Sequence, residues 1–200
     1  NAVAGVAAFP NLVFNTAGNY TLTATSPSLI SATSNQFTIT AASGSKLTFT
    51  TQPPATGVAG LPFGAVVQVQ DSNGNLVTGS TAQVTIGATT VNAVAGVATF
   101  SNLVYNTAGT YTLTASSSGF TSVASTSITI AAAAANRLAF TIQPTSGTAG
   151  QALSPAPAVA IKDSFGNTVT STAAVTIGST TVNAVAGVAA FPNLVFNTAG

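Results

Sequence analysis

The chain has 200 residues, and only five carry charge: three Lys or Arg and two Asp, with no His, Cys, Met or Trp. That inventory excludes an imidazole base, a thiolate nucleophile, a disulfide framework and a Cys/His metal site, while a net charge of +1 offers no field to nucleic acid or an anionic membrane. Charged residues make up 2% of the chain, against roughly a quarter in ordinary soluble proteins, so solubility rests on the hydroxyls and amides of Thr, Ser and Asn.

The first stretch, NAVAGVAAFPNLVFNTAG at 1–18, returns at 92–109 with three substitutions (Thr99, Ser101 and Tyr105) and at 183–200 unchanged. The interval is 91 residues both times, from Asn1 to Asn92 and from Asn92 to Asn183, which marks tandem copies of one repeat. The expected division is the C-terminal half of a repeat over 1–44, a complete repeat over 45–135 and the N-terminal part of the next over 136–200. Such a chain reads as a window on a longer array, with two repeat types alternating over 182 residues. After the first copy, Tyr20 and Leu22 alternate with Thr21, Thr23 and Thr25, and Asn19-Tyr20-Thr21 matches an N-glycosylation acceptor. The Ser/Thr richness equally suits O-linked sugar. AASGS at 41–45 is a linker without an acid.

Period-two alternation, the mark of strands, runs through the complete repeat. KLTFTTQ from Lys46 puts Leu47 and Phe49 on one face and stops at Pro53-Pro54, which predicts a sheet edge or a break there. AVVQVQ sets Ala65, Val67 and Val69 against Val66, Gln68 and Gln70, then meets DSNGN, whose Asn73-Gly74 signals a tight turn. A short strand is expected around Leu76-Val77 and another through Val84 and Ile86. The NAVAGVATF copy bends at Ala95-Gly96 and runs out through Ala98 and Phe100. NTAGTYTLTA follows, with Tyr111, Leu113 and Ala115 on one face and Thr110, Thr112 and Thr114 on the other. SITI closes the repeat with Ile128 and Ile130, before a linker over 131–135.

The next repeat begins RLAFTIQ from Arg137, with Leu138 and Phe140 alternating and Pro144 as the stop. Its DSFGN loop replaces Asn73 by Phe165 and keeps Gly166; Val175 and Ile177 match Val84 and Ile86. Length changes fall only where turns are expected, which supports the strand boundaries.

About seven strands in each repeat and no credible amphipathic helix predict an all-β fold of β-sandwich domains. The expected core is Phe49, Val67, Val69, Val84, Ile86, Phe100, Tyr111, Leu113, Ile128 and Ile130. The run Asn106–Leu113 resembles the tyrosine corner of immunoglobulin-type sandwiches, with Leu113 two residues after Tyr111 where antibody domains keep a Cys; Asn15–Leu22 repeats it with Tyr20. From KLTFTTQP through VQDSNGN and GVATFSNL to AGTYTLTA and SITI, the chain resembles bacterial Ig-like repeats of large cell-surface proteins and adhesins. The resemblance implies tandem Ig-like domains in a head-to-tail array, an extracellular or cell-surface setting, and a spacer role.

No catalytic, cofactor-binding or metal-binding residue is expected. Each repeat offers one carboxylate where acid–base catalysis by a carboxylate pair needs two, and Asp71 and Asp163 read as turn residues capping their loop backbones. Calcium wants six to eight oxygens and several carboxylates, which DSNGN does not supply. A Lys–Asn isopeptide bond is disfavoured, because Lys46 is matched by Arg137 and Lys162 by Gln70. The Thr rows admit an ice-binding reading as well as the plainer one of exposed strand faces kept polar without charge.

The leading function is therefore a structural repeat region of an extracellular fibre, sheath or adhesin stalk. The alternative is a module recognising a glycan or another surface. Expected partners are neighbouring copies of the repeat, joined covalently or head to tail and packed laterally into a fibre; neither nucleic acid nor membrane insertion is expected. The partial repeats at the two ends would be completed foremost by covalent continuation, otherwise by strands of a neighbour.

Overall fold

The computed structural model describes residues 2–198. Asn1, which opens the first copy of the repeated stretch, and Ala199 and Gly200, which close the last, lie outside the described residues.

The protein is all-β, with several sheets and no helix among the described residues. Its contacts divide it into two compact units. One gathers the chain up to Gln52 with Gly64–Phe100 and Leu113–Ser125; the other gathers Pro53–Phe63, Ser101–Thr112 and the chain from Thr126 onward.

Residues 2–44 form four short strands: β1 (Gly18–Tyr20), β2 (Thr23–Ala24), β3 (Ala32–Thr33) and β4 (Phe37–Ile39). β1 pairs antiparallel with β4, and β2 with β3. The central repeat holds β5 (Lys46–Thr51), β6 (Thr56–Val58), β7 (Phe63–Gln70), β8 (Gln83–Ile86), β9 (Thr89–Asn92), β10 (Val97–Leu103), β11 (Gly109–Ser116) and β12 (Val123–Ala131). These make a three-stranded sheet ordered β10-β7-β5 and a five-stranded sheet ordered β6-β12-β11-β8-β9. The last segment adds β13 (Arg137–Ile142), β14 (Ala158–Lys162), β15 (Ala174–Ile177), β16 (Thr180–Asn183) and β17 (Val188–Ala190), in sheets β13-β14-β17 and β15-β16.

Eight strands stand where about seven were expected, for local reasons. Gly87, at φ +58°, opens a two-residue turn that folds β9 back on β8. The β6 segment has no alternating side chains to announce it. It becomes a strand only by pairing in parallel with β12, Thr129 opposite Thr56, after Pro53-Pro54 has ended β5 at the edge of the other sheet. Conversely, Leu76-Val77 is not a strand; Leu76 makes one bridge to Gln70, and Val77 donates to the Val69 carbonyl. Ala131, expected in the linker, is the last residue of β12.

Alternation on the strands explains the core. On β7 Phe63, Ala65, Val67 and Val69 are buried while the residues between them are half-exposed, and each large side chain so buried contributes roughly 1.5–3 kcal/mol. Of the ten residues expected in the core, Tyr111 alone is only half-buried, because its hydroxyl reaches out to a loop carbonyl. The flanking partial repeats depart further. Leu138 and Phe140 on β13 are exposed, although Leu47 and Phe49 at the same repeat positions are buried. Among the described residues of the last segment no strand corresponds to β11 or β12.

The turn of the repeated stretch forms in all three copies. Val94 and Val97 exchange two backbone hydrogen bonds across Ala95 (φ +50°) and Gly96 (φ +79°), as do Val3 with Val6 and Val185 with Val188. Both central residues at positive φ is the hairpin geometry that matches strand twist. At Gly96 a Cβ would also collide with the Val77 carbonyl, whereas at Gly5 it would meet nothing. Gly96→Ala should therefore cost more stability than Gly5→Ala, by about 1–3 kcal/mol, in denaturant titrations. Leu113→Ala, at a fully buried position, should cost about 2–5 kcal/mol in the same measurement.

Candidate functional site

The chain's two carboxylates occupy equivalent and unusual places. Asp71 and Asp163 are both fully buried, in a protein with hardly any other charge to pair with them. Burying an ionised carboxylate is tolerated only when hydrogen bonds replace its lost water. Each finds them in its own DSxGN loop and in two segments further up the chain.

In the first loop, Asp71 Oδ1 accepts the backbone N–H of Asn73 and of Asn75, both at 2.9 Å. Oδ2 accepts the Ala42 N–H at 3.0 Å and the Asn75 side-chain amide at 2.9 Å. Four donors fill the acceptor sites of one carboxylate. The Asn75 amide also donates to the Asn15 carbonyl at 2.8 Å, and its oxygen accepts the Ala17 N–H at 2.9 Å. One Asp–Asn pair thus joins the loop to the linker (Ala42) and to the NTAG segment (Asn15, Ala17) of the preceding repeat.

The second loop repeats every bond. Asp163 Oδ1 accepts from Phe165 and Asn167 backbone N–H groups at 2.9 and 2.8 Å, and Oδ2 from Ala133 N–H and the Asn167 amide at 2.9 and 2.7 Å. Asn167 in turn holds the Asn106 carbonyl at 2.8 Å and the Ala108 N–H at 2.9 Å. Asn106, Ala108 and Ala133 stand 91 residues after Asn15, Ala17 and Ala42. Phe165 adds a contact of its own: its ring lies against Gly60 (φ +79°), where any Cβ would strike it, and the Gly60 N–H donates to the Tyr105 carbonyl at 3.0 Å.

The electrostatics follow from these donors. The Asn75 side chain does most to hold the Asp71 carboxyl down at about 2; burial opposes it, and the Asn75, Ala42 and Asn73 N–H groups reinforce it. For Asp163, burial is the largest influence and pushes upward, but the Asn167 side chain with the Ala133, Asn167 and Phe165 N–H groups outweighs it, leaving the group below the usual carboxylate range. The loop-capping role expected of both Asp residues is present. Their reach into the preceding repeat, through Asn75 and Asn167, was not expected. The signal available was that DSNGN and DSFGN keep their first Asp and last Asn while the middle residue changes.

The other singled-out residues lie apart from the clasps. Tyr20 and Tyr111 each donate to the carbonyl four residues upstream, Thr16 at 2.8 Å and Thr107 at 2.9 Å. The Tyr20 ring packs on Phe14 at 4.7 Å, and Tyr111 on Tyr105 at 4.4 Å. Thr110 meets Thr129 at 3.3 Å across the sheet, but the row at Thr21, Thr23 and Thr25 is interrupted, only Thr23 being in a strand. Asn19 is exposed and accepts from Thr38 at 2.7 Å. Lys46 donates to the Ser72 carbonyl at 3.4 Å and Lys162 to the Thr168 hydroxyl at 2.9 Å. A groove of about 470 Å³ is lined by Gln83, Thr85, Ser116, Ser117, Ser118 and Phe120. No helix among the described residues is long and apolar enough to cross a membrane, and none of their His, Cys, Asp or Glu side chains group as three or more.

No protein-family model matches the chain, and no curated protein sequence matches it.

The clasp has a pH signature. An unfolded Asp protonates near its ordinary 3.8, whereas folded Asp71 holds its charge to about 2. The stability it contributes is complete above the first value and disappears as pH falls through the second. Melting temperatures should accordingly drop between about pH 4 and 2, and Asp71→Asn should flatten that slope while lowering stability at pH 7. Asn75→Ala, which strips a donor from the carboxylate and leaves the Ala17 N–H without its acceptor, should destabilise the chain more than Asn73→Ala in denaturant titrations.

Proposed function

We propose that this chain is a structural segment of an extracellular or cell-surface fibre, sheath or adhesin stalk, a tandem array of Ig-like sandwiches running head to tail. The observation that carries the reading is the clasp itself: the same six hydrogen bonds recur at both passages from one repeat to the next, with the Phe165 N–H in the place of the Asn73 N–H and every other residue type unchanged. A ligand site would belong to one specialised repeat. A junction has to recur at each boundary.

The chemistry of the clasp suits a spacer. Charge-assisted bonds to a buried carboxylate are short and directional, so a linker held by its own N–H cannot swivel without taking away one of the four donors that satisfy that charge. Two sheets in the central repeat, crossed by a chain that switches between them after Pro53-Pro54, support a sandwich. The hydroxyl-to-carbonyl bonds of Tyr20 and Tyr111 support the tyrosine-corner reading and with it the Ig-like assignment. Near-neutral surfaces of Thr, Ser and Asn would let neighbouring strings lie side by side without repulsion.

A glycan-binding module is the second reading. The groove of Gln83, Thr85, Ser116 and Phe120 favours it by offering an amide, hydroxyls and one aromatic ring, the groups that meet a sugar. In the next repeat Ala174 replaces Gln83, so a single site of this kind fits less well with an array of equal parts.

Electron microscopy of native material should show rods or fibres beaded at roughly 35–45 Å, the length of one such domain and its linker. Randomly coiled strings of beads, or a compact particle without that spacing, would sink the stalk reading.

A further inference from the structure

We propose that Asn73 is a spontaneous deamidation site gated by the Asp71 clasp: its side-chain amide is lost through a succinimide only when the DSNGN loop opens, and that loss then keeps the clasp from re-forming. This needs the hydrogen bonds of the clasp and not the array reading above. Among the chain's Asn residues, Asn73 alone is followed by Gly. The others precede Ala, Leu, Thr, Tyr, Gln or Arg, whose side chains crowd the main-chain nitrogen that must attack. Asn73 and Gly74 are both exposed, so water and hydroxide reach them. A Cβ on Gly74 would meet nothing, and glycine stands there for its φ of +91°. The reaction needs no partner but water. The Gly74 nitrogen gives its proton to hydroxide and attacks Asn73 Cγ; a C–N bond forms, the Cγ–Nδ2 bond breaks and ammonia leaves. Water then opens the five-membered imide. Cleavage at Cγ leaves aspartate, and cleavage at the main-chain carbonyl carbon of Asn73 leaves isoaspartate. The net change is amide plus water to carboxylate plus ammonium.

In the folded loop the attack is held off by the bonds that make the clasp. The Gly74 N–H donates to the Asp71 carbonyl at 3.1 Å, so the nitrogen that must lose its proton holds it on an acceptor. The Asn73 and Asn75 N–H groups, on either side of the reacting peptide, both donate to Asp71 Oδ1 at 2.9 Å. They fix the torsions about Asn73 and Gly74 and keep the nitrogen from swinging onto Cγ. The carboxylate cannot follow a distortion of the turn, because Oδ2 is held by the Ala42 N–H and the Asn75 amide. A site closed in this way reacts through its opened state, at a rate set by the population of that state. Either product then acts back on the clasp. Isoaspartate puts an extra main-chain carbon between positions 73 and 74 and carries the Gly74 and Asn75 N–H groups away from their acceptors on Asp71. Aspartate sets a second carboxylate two residues from the buried one, which disfavours its charge. The sister loop keeps the same turn: Gly166 lies at φ +92°, its N–H on the Asp163 carbonyl at 3.2 Å, and the Phe165 N–H on Oδ1 at 2.9 Å. It has no amide at that place to lose. The first clasp therefore ages at its turn and the second does not.

Peptide mapping and isoaspartyl methyltransferase labelling read the reaction directly. The whole chain, held in mildly alkaline buffer, should gain aspartate and isoaspartate at position 73. The linear peptide QDSNGNLV, which has the same Asn–Gly pair and no clasp, should convert at least about tenfold faster. Asn75→Ala, which removes the side-chain donor to Oδ2, should raise the rate in the whole chain by about tenfold or more. Leu113→Ala, which weakens the core without touching the loop, should raise it far less. F165N moves an Asn–Gly pair into the second clasp with every main-chain donor kept, so it tests the gate without stripping a bond from either carboxylate. The amide it introduces should be protected from the peptide's rate to the same degree as Asn73. A wild-type rate equal to that of the peptide overturns the gate, as does an introduced amide that converts at the peptide's rate. So does Leu113→Ala accelerating conversion as much as Asn75→Ala. An Asn75→Ala chain whose position 73 stays intact while the peptide converts overturns the site itself.

Discussion

A carboxylate taken out of water must be satisfied completely or it will not stay ionised, and that requirement ties together the distant parts of this chain. Asp71 and Asp163 are the charges the protein buries, and the donors that keep them charged come from three places at once: the turn that carries each Asp, the linker before the repeat, and the loop-closing Asn that is itself held by the NTAG segment. The turn cannot open without uncovering the carboxylate, and the linker cannot leave without removing a donor. The Asn at the end of each loop spreads the constraint by using both ends of its amide.

The rest of the fold is hydrophobic burial on alternating strands, and the three copies of one 18-residue stretch show its limits. All three form the same hairpin turn, with Ala at φ near +50° and Gly near +80°, whether or not anything packs on it. Their burial does not follow: Phe9 is open while Phe100 and Phe191 are sealed. Local conformation is a property of the stretch, and burial is a property of what the chain places opposite it.

Those two facts bear on function together. The chain has no His, Cys or Glu, and its two Asp are both buried in the clasps that link one repeat to the linker and NTAG segment before it. The Phe165 ring against Gly60 makes successive junctions unequal, since Asn73 stands at that place one repeat earlier.

Sequence alone determined the repeat, the strand character, the parity of Phe49, Val67, Val69, Leu113 and the Ile128/Ile130 pair, and the capping role of both Asp residues. All of these depend on neighbours within a few positions, where side-chain period and turn chemistry act directly. Tertiary structure decided β6, a strand with no pattern of its own that exists because β12 lies beside it. It decided that Leu138 and Phe140 are exposed although they match the buried Leu47 and Phe49 letter for letter. It also decided the clasp, because Asn15 and Ala42 meet Asn75 and Asp71 only when chain separations of 60 and 29 residues are closed in space. A hydrogen bond spanning that distance leaves no periodicity in the sequence, since its partners are chosen by the path of the folded chain and not by their neighbours.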